Sequence, residues 1–83
     1  MLTGFQIRAA RAALHITAKE LAERAGVSLP TIQRFESADG VPPSRSETLL
    51  QVKSALESAG IEFIGSPTDR PGIRLALSKR STE

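Results

Sequence analysis

Ala18-Lys19-Glu20-Leu21-Ala22-Glu23-Arg24-Ala25-Gly26-Val27-Ser28-Leu29-Pro30-Thr31-Ile32-Gln33-Arg34-Phe35-Glu36-Ser37 is the stretch that decides the fold. Thr17 precedes it as a helix cap. Glu20, three positions on, completes a Thr-x-x-Glu capping box, in which each side chain takes the other residue's backbone N–H. Leu21, Ala22 and Ala25 then face inward, and Gly26 supplies the positive φ on which many helices stop. After Gly26-Val27 a new helix starts at once: Ser28 caps it, and Pro30 falls in its first turn, where a missing N–H costs nothing. Ile32 and Phe35 face back toward the first helix. Ala22, Gly26 and Ile32 mark the close crossing, the turn and the return contact of two short helices packed at a steep angle.

The flanks extend the helical pattern. Thr3 caps a helix running to about Leu14, with Ile7, Ala10 and Leu14 on one face. Val41-Pro42-Pro43 is a stiff connector, and Ser44 with Glu47 predicts a further capped helix whose stripe is Leu49, Val52 and Leu56 and whose stop is Gly60. Then the period changes from helix to strand. Residues 61–64 are rich in β formers, and Ile73, Leu75 and Leu77 alternate onto one face. Residues 65–72 read as a flexible loop between two strands, and 79–83 as a flexible tail. The division expected is residues 1–60 helical, 61–78 a β extension and 79–83 tail.

Composition narrows the function classes. The chain has 83 residues, no cysteine and one histidine, so neither a disulfide framework nor a Cys-based zinc site is available. A chain this short buries only about 60% of the surface its unfolded form exposes. Tight helix packing or oligomerisation must therefore stabilise it. The net charge is +2 and is spread evenly: residues 1–44 hold five basic and four acidic side chains, residues 45–83 six and five. Charge alone thus does not mark a nucleic-acid binder; basic groups would have to cluster in space. No apolar run approaches the roughly 18–20 residues of a membrane span. The first residues show no basic stretch followed by a long apolar one. The expectation is a soluble cytoplasmic protein. No nucleophile motif, phosphate loop or ligand cluster is present, so no enzyme activity, metal or cofactor is expected.

Ile7-Arg8-Ala9-Ala10-Arg11, Ala18-Lys19-Glu20-Leu21-Ala22, Ala25-Gly26-Val27-Ser28 and Thr31-Ile32-Gln33-Arg34-Phe35-Glu36 together resemble the Cro and phage-repressor-like helix-turn-helix family, also called the xenobiotic-response-element type. The resemblance implies a mainly α fold: a four-helix, lambda-repressor-like domain, followed here by a C-terminal hairpin or strand pair. It also implies that the third helix enters the DNA major groove by its N-terminal end. Ser28, Leu29, Pro30, Thr31, Gln33 and Arg34 would then face DNA. Arg34 matches the O6 and N7 acceptors of guanine, Gln33 suits adenine or solvent, and Leu29 and Pro30 suit a thymine methyl. Ser28 reads equally as a pure cap. The family often places Gln where this chain has Ala18; Thr17 and Lys19 are the candidates to replace its phosphate contact. Arg11 and Glu36 match a family ion pair that orients the helices.

The strand pair suggests how a small domain gains a partner. Ile61, Phe63, Ile73, Leu75 and Leu77 form an apolar face that needs a cover: the hairpin either folds back on the fourth helix alone or also joins a partner's hairpin, since exposed strand edges invite pairing with a second copy. The resulting expectation is a sequence-specific transcriptional repressor that binds a palindromic operator in double-stranded DNA as a homodimer. The alternative is an antitoxin-like or anti-activator module that neutralises a regulatory partner protein.

Overall fold

A hydroxyl sets each of the first three helix starts. In the computed structural model, which describes residues 2–38, 40–42 and 46–76, helix α1 (Gly4–Leu14) begins where Thr3 Oγ1 accepts the Gln6 N–H at 3.1 Å. Helix α2 (Ala18–Ala25) begins where Thr17 Oγ1 accepts the Glu20 N–H at 3.0 Å. Helix α3 (Leu29–Glu36) begins where Ser28 Oγ accepts the Thr31 N–H at 3.3 Å. Each bond satisfies one of the orphan donors that open a helix. Gly26 ends α2 at φ 73°, and Val27 N–H returns to the Ala22 carbonyl at 3.0 Å, so only Val27 separates that stop from the next cap. Helix α4 spans Ser46–Ser58. Its expected cap, Ser44, lies outside the described residues.

The four helices pack around one core. Ile7 and Ala10 of α1, Leu21, Ala22 and Ala25 of α2, Ile32 and Phe35 of α3, and Leu49, Val52 and Leu56 of α4 are all buried. Every apolar position expected to face inward is in this core or packed on its margin, where Leu14 and Val27 lie. Helices α2 and α3 cross at the turn, α4 covers α2, and α1 covers α3.

Two strands follow, β1 (Ile61–Ser66) and β2 (Asp69–Leu75), paired antiparallel. The expected flexible loop over 65–72 is not there. Strand pairing continues nearly to the tip and leaves only Pro67 and Thr68 as the turn. Gly and Pro in this segment argued against a strand, because Pro71 has no N–H for a ladder. A bulge resolves the conflict: Ile64 pairs with Gly72 and Ser66 with Asp69, so Gly65 alone faces Arg70 and Pro71. Pro71 thereby leaves the ladder. Gly65 adopts φ 78°, and a Cβ there would overlap the Arg70 carbonyl.

The register puts Ile61 opposite Leu75 and Phe63 opposite Ile73, all on one face. That face turns onto the chain's own core: β2 lies on α1 and β1 reaches α4. Ile61 is buried as part of the core cluster, and Phe63, Ile73 and Leu75 pack against it half-buried. This apolar face is therefore covered by α1 and α4 of the same chain. Full burial of a side chain such as Ile61 contributes about 1.5–3 kcal/mol. Leu77 lies outside the described residues. The opposite face, with Glu62, Ile64 and Arg74, is exposed, and Arg74 pairs with Glu62 across the strands at 3.5 Å.

Gln6 joins the hairpin to the helices. Its side chain is 3% exposed. Oε1 accepts the Thr3 N–H at 2.9 Å, completing a capping box, and Nε2 donates to the carbonyls of Ile64 at 3.2 Å and Gly72 at 3.0 Å. One amide thus closes α1 and holds both strands near the bulge. Gln6→Leu keeps the volume but strands the buried Thr3 N–H, at a cost of about 1–3 kcal/mol. Amide exchange checks it: the hairpin amides are expected to exchange faster in the variant while those of α2 and α3 stay protected.

Candidate nucleic-acid interface

The exposed side of α3 carries the residues singled out in the sequence. Ser28, Pro30, Gln33 and Arg34 are exposed, and Leu29 and Thr31 are half-buried. All six lie on one short helix and its cap. Ser28 is a working cap, and its hydroxyl also shares a hydrogen bond with Thr31 Oγ1 at 2.8 Å. The two hydroxyls therefore form one polar unit at the helix start. Thr31 and Ile32 donate their amides back to Ser28, and Pro30 has none, so the Leu29 N–H is the turn's remaining donor. Arg34 extends over the rim of Phe35, with its guanidinium carbon 5.8 Å from the ring centroid. That contact steadies a long side chain without burying its charge. Ser37 Oγ donates to the Gln33 carbonyl at 2.9 Å and closes the helix at its other end.

At the start of α2, Lys19 is exposed one residue into the helix, and Thr17 is exposed beside it. The capping box engages Thr17 from both sides: Thr17 N–H donates to Glu20 Oε1 at 2.8 Å. This bond, more than the Thr17 hydroxyl or the charge of Arg24, holds the Glu20 carboxyl below its ordinary value. Thr17 is thus occupied as an acceptor, and Lys19 has no ion-pair partner among the described residues.

The far end of α3 is gripped from α1. Arg11 Nε and Nη2 donate to the two carboxylate oxygens of Glu36 at 2.8 and 3.0 Å, a bidentate pair. Arg11 Nη1 also donates to the Ile16 carbonyl at 3.2 Å, in the α1–α2 connection. The Glu36 hydrogen bond, opposed by burial and helped by the carboxylate charge, raises the Arg11 pKa. Arg8 adds a second hold, donating from Nη1 to the Glu36 backbone carbonyl. Its guanidinium lies 4.7 Å from the centroid of the exposed Phe5 ring. The role of Arg8 was not foreseen; its only sequence signal is a place three residues before Arg11, one turn along the same helix face. The C-terminal end of α3 is therefore fixed to α1, and the side with Ser28, Pro30, Gln33 and Arg34 is left facing outward.

The described arginines of the hairpin face carboxylates of the hairpin itself. Arg74 is paired with Glu62, and Arg70 contacts Asp69 at 3.2 Å. Lys79 and Arg80 lie outside the described residues. Among the described residues no group of three His, Cys, Asp or Glu side chains is placed to hold a metal ion, and no helix is long and apolar enough to cross a membrane.

A helix-turn-helix family model of the Cro/C1 type matches residues 7–50, which spans α1, α2, α3 and the start of α4. The chain belongs to the Cro/C1-type helix-turn-helix family. It is a DNA-binding transcription regulator, and its partner is DNA. No curated protein matches the chain. Within this helix-turn-helix unit, α2 and α3 are the paired helices and Gly26 is the turn.

The Glu20 box makes α2 sensitive to acid. A carboxyl whose folded pKa is lowered contributes stability above its ordinary pKa and loses it as pH falls through the lowered value. Glu20→Gln keeps the acceptor but not the charge. Unfolding measured between about pH 6 and about pH 3 should show a smaller acid loss in the variant than in the parent protein. Equal losses would show that Glu20 does not contribute to the acid sensitivity.

Proposed function

We propose that this regulator is a repressor that binds a palindromic operator as a homodimer, with α3 in the major groove. What carries the proposal is the division of α3. Its C-terminal end is held by Arg11 and Arg8, and its exposed side presents Ser28, Gln33 and Arg34 outward, with Thr31 half-buried beside them. The second helix of such a pair lies in the major groove with its N-terminal residues against the base edges. In this reading Arg34 reads a guanine, and Gln33 and the Ser28–Thr31 hydroxyl unit contact a base or a phosphate. Lys19 contacts phosphate at the start of α2, the place that Ala18 cannot fill. Leu29 and Pro30 supply the apolar contact to a thymine methyl. Occlusion of a promoter is the mode of repression that needs nothing beyond this surface.

The homodimer reading rests on size and charge. One α3 offers few contacts, and the net charge of +2 supplies little non-specific attraction. Two copies related by a two-fold axis place two α3 helices about 34–36 Å apart, one DNA turn.

Selection of bound fragments from random DNA tests this reading, followed by titration of the selected site. A palindromic site is the expected result. Arg34→Ala should then weaken binding to the selected site by about 1–3 kcal/mol and relax one base position. Lys19→Ala should weaken every sequence alike and lower the salt dependence. Salt-dependent binding without any preferred site would remove the operator reading and favour a protein partner instead.

A further inference from the structure

An open groove lies away from α3. It is about 680 Å³ in volume and runs between the end of α2 and the outer side of α4. Leu50 forms its apolar edge and is 54% exposed, the most exposed of the large apolar side chains outside the described turns and strands. The floor is small: Ala25, Ser54 and Ala55 let another helix come within the 8–10 Å of ordinary helix packing. On its other side Leu50 borders a second hollow beside Leu49 and Lys53. Leu50 is thus a knob between two hollows, on a helix whose opposite side is already in the core.

The charges of the groove are arranged by sign. Glu47 stands in the first turn of α4. Arg24, from the last turn of α2, lines the same groove and continues beside Ala55 and Ser58. Glu47 and Ser58 are eleven positions apart, about 16 Å along a helix at 1.5 Å per residue. Neither Arg24 nor Glu47 has an ion-pair partner among the described residues. A negative end and a positive end on one groove are self-complementary when a second copy lies antiparallel, because the two-fold operation brings each Arg24 to the other copy's Glu47. The two Leu50 side chains then interlock at the axis.

We propose that this groove is the homodimer interface of the regulator, two α4 helices packing antiparallel around Leu50 with reciprocal Arg24–Glu47 pairs. The proposal rests on the homodimer reading and gives it a surface. That surface suits the task, because its lining comes from α2 and α4 and includes no residue of α3. Both recognition helices stay free in the dimer.

Sedimentation of the full chain, alone and as variants, tests it. Arg24→Glu and Glu47→Arg each place like charges across the axis twice, and each should raise the dimer dissociation constant by at least about tenfold. Mixed in equal amounts, the two variants regain opposite charges in both pairs. The mixture should return to the parent dissociation constant, an effect that a change within one chain cannot produce. Leu50→Lys, at an exposed position outside the core, should leave helix content unchanged and give monomers. A parent protein that dimerises while Leu50→Lys and both reversals dimerise equally well would overturn this interface and leave the homodimer reading standing. A parent protein that is monomeric both free and on operator DNA would overturn both.

Discussion

The bidentate grip of Arg11 on Glu36 is the contact on which the functional surface depends. Helix α3 has only eight residues. An isolated helix of that length is not stable in water, and its direction is set wholly by what it packs against. Ile32 and Phe35 fix which side faces the core, but two apolar contacts one turn apart leave the helix free to pivot. Arg11 removes that freedom. It spans from α1 to the carboxylate at the last residue of α3 and, with a third N–H, to the Ile16 carbonyl in the connection to α2. One side chain thus references three segments to each other. Side-chain exposures of 29% for Arg11 and 11% for Glu36 place the pair between the weak surface case and the fully desolvated one.

The hairpin solves a second problem with the same economy. A two-stranded sheet is marginal by itself, and here it is held by a shared apolar face and by one amide. Gln6 reaches both strand carbonyls beside the bulge, where Gly65 and Pro71 take the pair out of regular register. Ile61 completes the core that the four helices begin. The C-terminal extension is therefore part of the domain's stability.

Most of the helical half was legible from residues 3–60, because its signals are local. Thr3, Thr17, Ser28 and Gly26 act within one turn of chain, and their spacing is enough to place three helices. The hairpin was legible as two strands, but not in its length. Gly65, Pro67, Pro71 and Gly72 carry loop propensity, and the bulge that accommodates them is a property of the paired state. The covered side of the sheet could not be chosen in advance either, since Ile73 and Leu75 alternate identically whether they meet α1 or another copy. Gln6 and Arg8 escaped notice because their partners are 66 and 28 positions away and are backbone carbonyls, which every residue has. Arg11 and Glu36 came into view through the family resemblance alone, as nothing in their spacing of 25 marks a contact. Leu50 lies outside the predicted stripe of Leu49, Val52 and Leu56, and it is exposed.

A double-mutant cycle on Arg11 and Glu36 tests the central claim most directly. Arg11→Met, Glu36→Gln and the double variant are compared with the parent in denaturant unfolding. Each single change leaves one partner without its mate, so the two single losses should sum to more than the loss in the double variant. The expected coupling energy is about 1–2 kcal/mol. Losses that simply add, with coupling near zero, would contradict the claim that this pair sets the position of α3.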